Sequence, residues 1–465
     1  MTAGGGTIMK AKKIERNGTK KRVRVRLSHT QIIALGFLIM ILAGAVLLSL
    51  PVASRDGQAT PFLNAFFTSA SASCVTGLVV YDTATHWSLF GQVVILLLIQ
   101  TGGLGFMTFI TFFFMLMRRK VGLQERQIMT ESINASSIGG ILGITKLILF
   151  GTLGFESIGA ALLAIRFIPR FGVGKGIWLS VFHSVSAFCN AGFDLLGRDG
   201  TPYSFTEYSA DPLVNIVIML LIIIGGLGFL VWEDLLVHKF KWKRYKLQTK
   251  AVLFMTVLLV FGGALLFFIF ERNATGAEMG VGERIWTALF SSVTARTAGF
   301  NTTDTASLSD PSIILTYFLM FIGGNSGSTA GGIKTTSILV IFVFAWSGIR
   351  RKQDANIFGR SLSDGALRQA VYIFFMNLTM AVVGAMIIGT IQPVATRDIL
   401  FETFSAIGTV GMTTGVTSGL LPVSRLIIIV LMYIGRVGSV SFGLAMLEKK
   451  ARPRVTYPTE NITVG

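Results

Sequence analysis

Apolar residues run in stretches long enough to cross a bilayer, about 20 residues at the rise of an α-helix. They lie at 32–50, 89–117, 141–168, 213–237, 251–270, 313–346, 371–391 and 426–446. The pattern predicts eight spans. Between the members of each pair lies a segment too short to cross, at 62–73, 178–188, 285–294 and 400–407. These segments mix bulky apolar residues with Ser and Thr. In the first, Phe62, Phe66 and Phe67 fall on one helical face. Each unit thus reads as span, short amphipathic helix, polar string, span.

The string after each short helix closes on a glycine: CVTGL on Gly77, CNAGF on Gly192, RTAGF on Gly299 and GTVGM on Gly411. The glycines are 115, 107 and 112 residues apart, so one unit recurs four times. Ser71, Ser186 and Ser405 stand six residues before their glycine, where the third unit has Val293. Four parallel copies imply four sectors about one axis, with a pore along it. A chain that turns back inside a membrane must satisfy its own amides and carbonyls, and is tolerated where it is packed in protein or lines water. Carbonyls of an extended strand can replace the water shell of a hard cation, and glycine permits the angles that aim them. Close helix packing explains a single glycine string. It does not explain four at matching positions.

Composition agrees: 52% of residues are hydrophobic, 14% are charged and the mean hydropathy is +0.68, which excludes a soluble domain. The net charge of +18 sits where topology places it. Lys and Arg crowd 10–26, 118–120, 239–250, 350–368 and 449–454, all on one side of an eight-span chain. The opposite loops hold Asp199, Glu207, Asp211, Glu278, Glu283, Asp304 and Asp310. Both termini are therefore expected in the cytoplasm, and no segment has the length of a nucleic-acid-binding domain. The first apolar run follows a long basic tail and has the length of a span, unlike a signal peptide. Residues 1–8 read as an extension before a second methionine, Met9. Cys74 and Cys189 occupy equivalent positions and read as buried thiols.

The motifs CVTGL with YDT, QTGGLGFMTF, SAFCNAGF, GGLGF, TARTAGFN, GGNSGSTAGGIKTT, ETFSAIGTVGMTTG and IGRVGSVSFG resemble the Trk/Ktr/HKT superfamily of potassium transporters, and among them the KtrB-type membrane subunit. The resemblance covers nearly all of the chain from Ser28 onward. It implies an all-α polytopic fold of four parallel M1-P-M2 repeats around a pseudo-fourfold pore, at 31–117, 141–238, 250–349 and 368–448. A basic tail at 1–30 would precede them and a cytoplasmic tail at 449–465 would follow. It makes Val75, Thr76, Gly77, Asn190, Ala191, Gly192, Thr297, Ala298, Gly299, Thr409, Val410 and Gly411 the ion filter. Only the glycine is common to the four strings, which leaves the preference for potassium over sodium open. The resemblance further implies potassium uptake at a bacterial plasma membrane by a homodimer in the lipid bilayer, with stimulation by sodium. A cytosolic nucleotide-binding RCK ring, similar to KtrA, would gate it. ATP or ADP is expected only on that partner, and this chain is expected to bind no cofactor. A sodium-conducting member of the superfamily and a secondary cation symporter are the alternatives.

The sixth span is interrupted by Gly323, Gly324, Asn325, Ser326, Gly327, Ser328, Thr329, Ala330, Gly331, Gly332 and, at the end, Lys334, a composition that does not stay helical cheaply. The resemblance makes this stretch an intramembrane gate and sets Arg436, deep in the last span, beside it. A phosphate-binding loop does not fit, because Ile333 stands where that motif needs lysine. Of the four repeats only the third is expected to break its second span. Arg296 and Lys334 read as weaker candidates that bond carbonyls, His183 as a packed residue, and Glu156 as an intramembrane acid without an identified partner. The histidines His29, His86, His183 and His238 are scattered, so no catalytic constellation forms and an enzyme is not expected.

Overall fold

The structure, a computed structural model, describes residues 29–105, 108, 122–132, 140–197, 204–239, 241–351 and 354–438. Nearly all of the basic N-terminal tail, the 118–120 turn, the ends of the second and eighth expected spans and the C-terminal tail lie outside these residues.

The first unit contains α1 (His29–Ser49), α2 (Phe62–Cys74) and α3 (Leu89–Leu104), with a connecting helix α4 (Leu123–Ser132) after it. The second contains α5 (Ile141–Phe171), α6 (Val173–Cys189), α7 (Pro212–Leu227) and α8 (Phe229–His238). The third contains α9 (Leu247–Phe270), α10 (Val281–Thr297), α11 (Asp310–Phe321) and α12 (Thr335–Ile349). The fourth contains α13 (Asp364–Ile391), α14 (Thr396–Gly408) and α15 (Pro422–Val437). The only sheet among the described residues is a hairpin pairing Asn356–Ile357 with Arg360–Ser361.

Four helices are long and apolar enough to cross a membrane: Thr30–Ser49, Ile141–Phe171, Leu247–Asn273 and Asp364–Ile391. Each opens a unit. Their outer faces carry large apolar side chains exposed to the surroundings, such as Ile39, Phe150, Phe261 and Met386. Water would not tolerate so much apolar surface, whereas lipid favours it. The short helices α2, α6, α10 and α14 are largely buried inside this shell, and each is found where the sequence expects it.

The same joint recurs in three units. Ser69 donates to Ile41 O, Ser184 to Glu156 O and Ser292 to Val260 O, at 2.7, 2.7 and 2.8 Å. Opposite these serines stand Gly44, Gly159 and Gly263, where any Cβ would strike the serine Oγ. Glycine on the long helix thus admits the short helix to hydrogen-bonding distance.

One expectation is corrected. The third unit is not alone in breaking its second span. α3 stops at Gly105 (φ +85), α7 and α8 bend by 93° at Gly228 (φ +100), and α15 stops at Gly438 (φ +92). The left-handed backbone at these glycines ends the α-helix in each case. Beyond the four long helices, the bent α7–α8 pair is the fifth candidate span. Leu89–Leu104, Asp310–Phe321 and Thr335–Ile349 are apolar but shorter.

Candidate functional site

The four string glycines form a closed ring. A Cβ on Gly77 would meet Ala191 O and lie 3.2 Å from Gly192 Cα. One on Gly192 would meet Ala298 O and Gly299 Cα, one on Gly299 Val410 O and Gly411 Cα, and one on Gly411 Thr76 O and Gly77 Cα. Each glycine therefore touches the next in sequence order, and the last touches the first. All four have positive φ: +95, +71, +76 and +89. Both the backbone angle and the neighbouring strand thus require glycine at these positions.

The short helices fix where each string begins. After α2, α6 and α14 the cap residues Val75, Asn190 and Thr409 are left-handed (φ 58, 60 and 51), a conformation costly for non-glycine residues. It is held by paired backbone bonds. Val75 N donates to Ala72 O and Thr76 N to Ser71 O, and the same pairs recur from Asn190 and Ala191 and from Thr409 and Val410. α10 instead runs one residue nearer its glycine, through Thr297 to the cap Ala298.

The serines six residues before the glycine anchor the strings. Ser71 Oγ accepts from Gly77 N and Ser405 Oγ from Gly411 N, both at 3.0 Å, and Ser186 Oγ donates to Phe193 O at 2.7 Å. In the third unit Thr294, beside Val293, takes this task by donating to Phe300 O at 2.8 Å. Further out, His183 contacts Leu179 O and accepts from Leu195 N, which fixes it as the neutral ring hydrogen-bonded at both nitrogens. Glu402 stands at the equivalent place in α14 and accepts from Thr413 and Thr417 of the segment beyond Gly411. Thr76 Oγ1 and Thr409 Oγ1 are buried with no hydrogen-bond partner among the described residues.

On one side the ring is met by the segment between α11 and α12. Thr329 Oγ1 accepts from Asn190 Nδ2 (2.8 Å) and donates to Phe188 O (3.2 Å), while Asn190 Oδ1 accepts from Thr297 Oγ1 (2.9 Å). Gly331 lies against the Thr409 side chain and Gly332 against Gly408. Asn325 donates twice to Gly226 O, Phe229 N donates to Gly327 O, and Gly332 N to Gly435 O. Gly323 packs on Gly331 O and Gly324 on Ala330 Cβ, so side chains at either would open the segment. Ser328 Oγ donates to Asn325 O, and Ser326 O lies against Gly228. Lys334 Nζ donates to Ala330 O and Gly331 O.

Arg436 ties this segment to the rest. Its guanidinium donates to Thr329 O of the segment and to Gly102 O and Gly103 O at the end of α3. One side chain of the fourth unit thus holds the first and third together. Arg296 is buried in the last turn of α10, and its Nε has no hydrogen-bond partner among the described residues. Glu156 departs from expectation, since Gln100 Nε2 donates to it at 3.2 Å. The expected filter and gate residues are therefore brought together. The sequence missed Glu402, Thr294, Gln100 and the carbonyls of Gly102 and Gly103, although the glycine pairs in QTGGLGF and GGLGF and the IGRVG string already mark equivalent positions.

Lipid-facing long helices around a buried backbone ring define a multi-pass helical membrane protein. Residues 8–452 match the family model TrkH, described as a cation transport protein. The chain is 43% identical to the potassium/sodium uptake protein NtpJ of Enterococcus hirae, over 96% of this chain and 99% of that protein. It is 39% identical to the Ktr system potassium uptake protein B of Bacillus subtilis, over 95% and 98%. The crystal structure of the potassium transporter TrkH from Vibrio parahaemolyticus superposes with a TM-score of 0.72 at 18% identity, covering 92% of this chain and 86% of that one. The chain belongs to the TrkH family of cation transport proteins and is a transporter, not an enzyme.

Proposed function

We propose that this chain is the ion-conducting subunit of a Ktr-type potassium uptake system. The observation that carries the proposal is the closed ring of Gly77, Gly192, Gly299 and Gly411. In this reading the carbonyls of Thr76, Ala191, Ala298 and Val410 replace the water shell of a potassium ion inside the ring. Val75, Asn190, Thr297 and Thr409 complete the walls, where the unpartnered Thr409 hydroxyl supplies a further hard oxygen ligand. Each unit is one M1-P-M2 repeat, with the domain limits given above, so that the chain crosses the membrane eight times.

The segment 323–332, with Lys334 and Arg436, is the gate. Its bonds to Asn190, Gly226, Gly435 and Arg436 hold it across the path, and the half-buried guanidinium repels cations there. A cytosolic RCK ring carrying ATP or ADP moves it, and the membrane subunit works as a homodimer in the bacterial plasma membrane with both termini inside. Uptake is driven by the membrane potential, about 2.3 kcal/mol per charge per 100 mV. Sodium is the second ion in this reading, stimulating or sharing the path, in keeping with the name of the Enterococcus hirae relative.

Expression with its RCK partner in a bacterium lacking potassium uptake should restore growth at low potassium. No rescue by a correctly inserted protein would overturn the proposal. Ser405→Ala leaves the Gly411 amide without its acceptor, at a cost of about 1–3 kcal/mol. Potassium affinity measured by uptake should fall several-fold, with a smaller fall for Ser405→Thr, which keeps the hydroxyl. Asn190→Ala removes the side-chain link between the second string and Thr329. Leak of rubidium without the partner ring should rise, which a flux assay in proteoliposomes measures.

A further inference from the structure

Four aromatic rings form a chain of contacts from α9 to the hairpin that follows α12. Phe254 lies on α9, a helix with the length and hydropathy of a full span, and is 45% exposed on its apolar flank. Its ring meets Phe358 at the tip of the hairpin, with centroids 6.0 Å apart and planes at 78°. Phe358 meets Trp242 at 6.3 Å, and Trp242 meets Tyr245 at 5.9 Å. Phe254 is two helical turns into α9, about 10 Å from its first residue at 1.5 Å per residue. The hairpin and the turn carrying Trp242 therefore sit where hydrocarbon gives way to headgroups, the level that Trp favours.

The exposed charge at this level is predominantly positive. Lys241, Lys243, Arg244 and Arg360 are exposed, and none has an ion pair among the described residues. Lys246 alone of this group has an acid nearby, Glu233 at 3.8 Å. A basic cluster at the end of a span, beside exposed Trp and Phe, fits phosphate-bearing lipid. We propose that Trp242, Phe358 and the cations Lys241, Lys243, Arg244 and Arg360 form a binding site for anionic phospholipid headgroups. The site adjoins the gate helix. Ile357 of the hairpin and Val343 of α12 both pack against the cluster of Leu339 on α12 with Ala251 and Met255 on α9, and α12 begins directly after Lys334. A headgroup held there ties α12, and with it the 323–332 segment, to the leaflet. The inference rests on the membrane setting of the chain and not on the ion path.

The test uses the full-length protein in nanodiscs of equal phosphatidylglycerol and phosphatidylcholine, then transferred to detergent, with retained lipid counted by mass spectrometry. The wild type should retain phosphatidylglycerol preferentially. Combining Lys241→Gln, Lys243→Gln, Arg244→Gln and Arg360→Gln should lower that preference about tenfold, as should high salt. These side chains are exposed, so folding is checked simply by the elution position of the variant. Trp242→Ala with Phe358→Ala should lower total retained lipid while leaving the salt dependence. Equal phosphatidylglycerol retention by wild type and the charge variant would overturn the proposal. So would a charge variant that keeps its lipid but no longer co-purifies with a cytosolic protein, because the surface would then serve a protein partner.

Discussion

Deletion of 323–332 should raise cation flux through the protein about tenfold or more, since each tenfold needs only about 1.4 kcal/mol of relieved closure. The segment is held by hydrogen bonds from four directions: Asn190 of the second string, Gly225 and Gly226 of α7, Gly435 and Arg436 of α15, and Thr335 of α12, which donates to Asn325. At about 1 kcal/mol net for a typical bond and more for a charged donor, these outweigh thermal opening in the absence of a regulator. The deletion removes the obstruction together with its tethers. Arg436→Gln should raise flux less, because it loosens one tether and leaves Gly102 O and Gly103 O without their donor. Rubidium uptake into proteoliposomes reads both variants, and unchanged or abolished flux in properly inserted deletion protein would sink the gating role.

Gly77→Ser and Gly299→Ser should each weaken potassium affinity roughly 10- to 100-fold and relax discrimination against sodium. The left-handed backbone alone costs a non-glycine residue roughly 1–2 kcal/mol. The new Cβ then meets the following strand, Gly192 Cα at 3.2 Å or Gly411 Cα at 3.1 Å, before any hydroxyl is considered. Because the ring is closed, displacing one strand shifts the carbonyl beside the next glycine. Damage should therefore not stay within one unit. Concentration dependence of uptake at low potassium, with and without competing sodium, measures it; wild-type affinity in both variants would count against the ring as the filter.

The sequence disclosed the ring but not what lies around it, for physical reasons. A positive φ combined with a neighbouring strand against the Cα leaves room for glycine alone, so Gly77, Gly192, Gly299 and Gly411 stand out at even spacing. Long apolar runs marked the lipid-facing helices equally plainly. Hydropathy is blind to a single glycine inside an apolar run, and for that reason the stops at Gly105 and Gly438 and the bend at Gly228 read as continuous spans. The bonds of Glu402, Gln100 and Thr294 join residues whose meeting depends on how the helices pack, and no spacing rule announces that. Arg436 was visible as a charge in an apolar run, but its three carbonyl partners come from two other units.

Rubidium anomalous scattering from crystals of the transport-competent protein tests the central claim most directly. The account predicts a peak inside the ring bounded by the carbonyls of Thr76, Ala191, Ala298 and Val410, weakened in Gly77→Ser. A fully active protein whose rubidium peaks all lie away from that ring would contradict it.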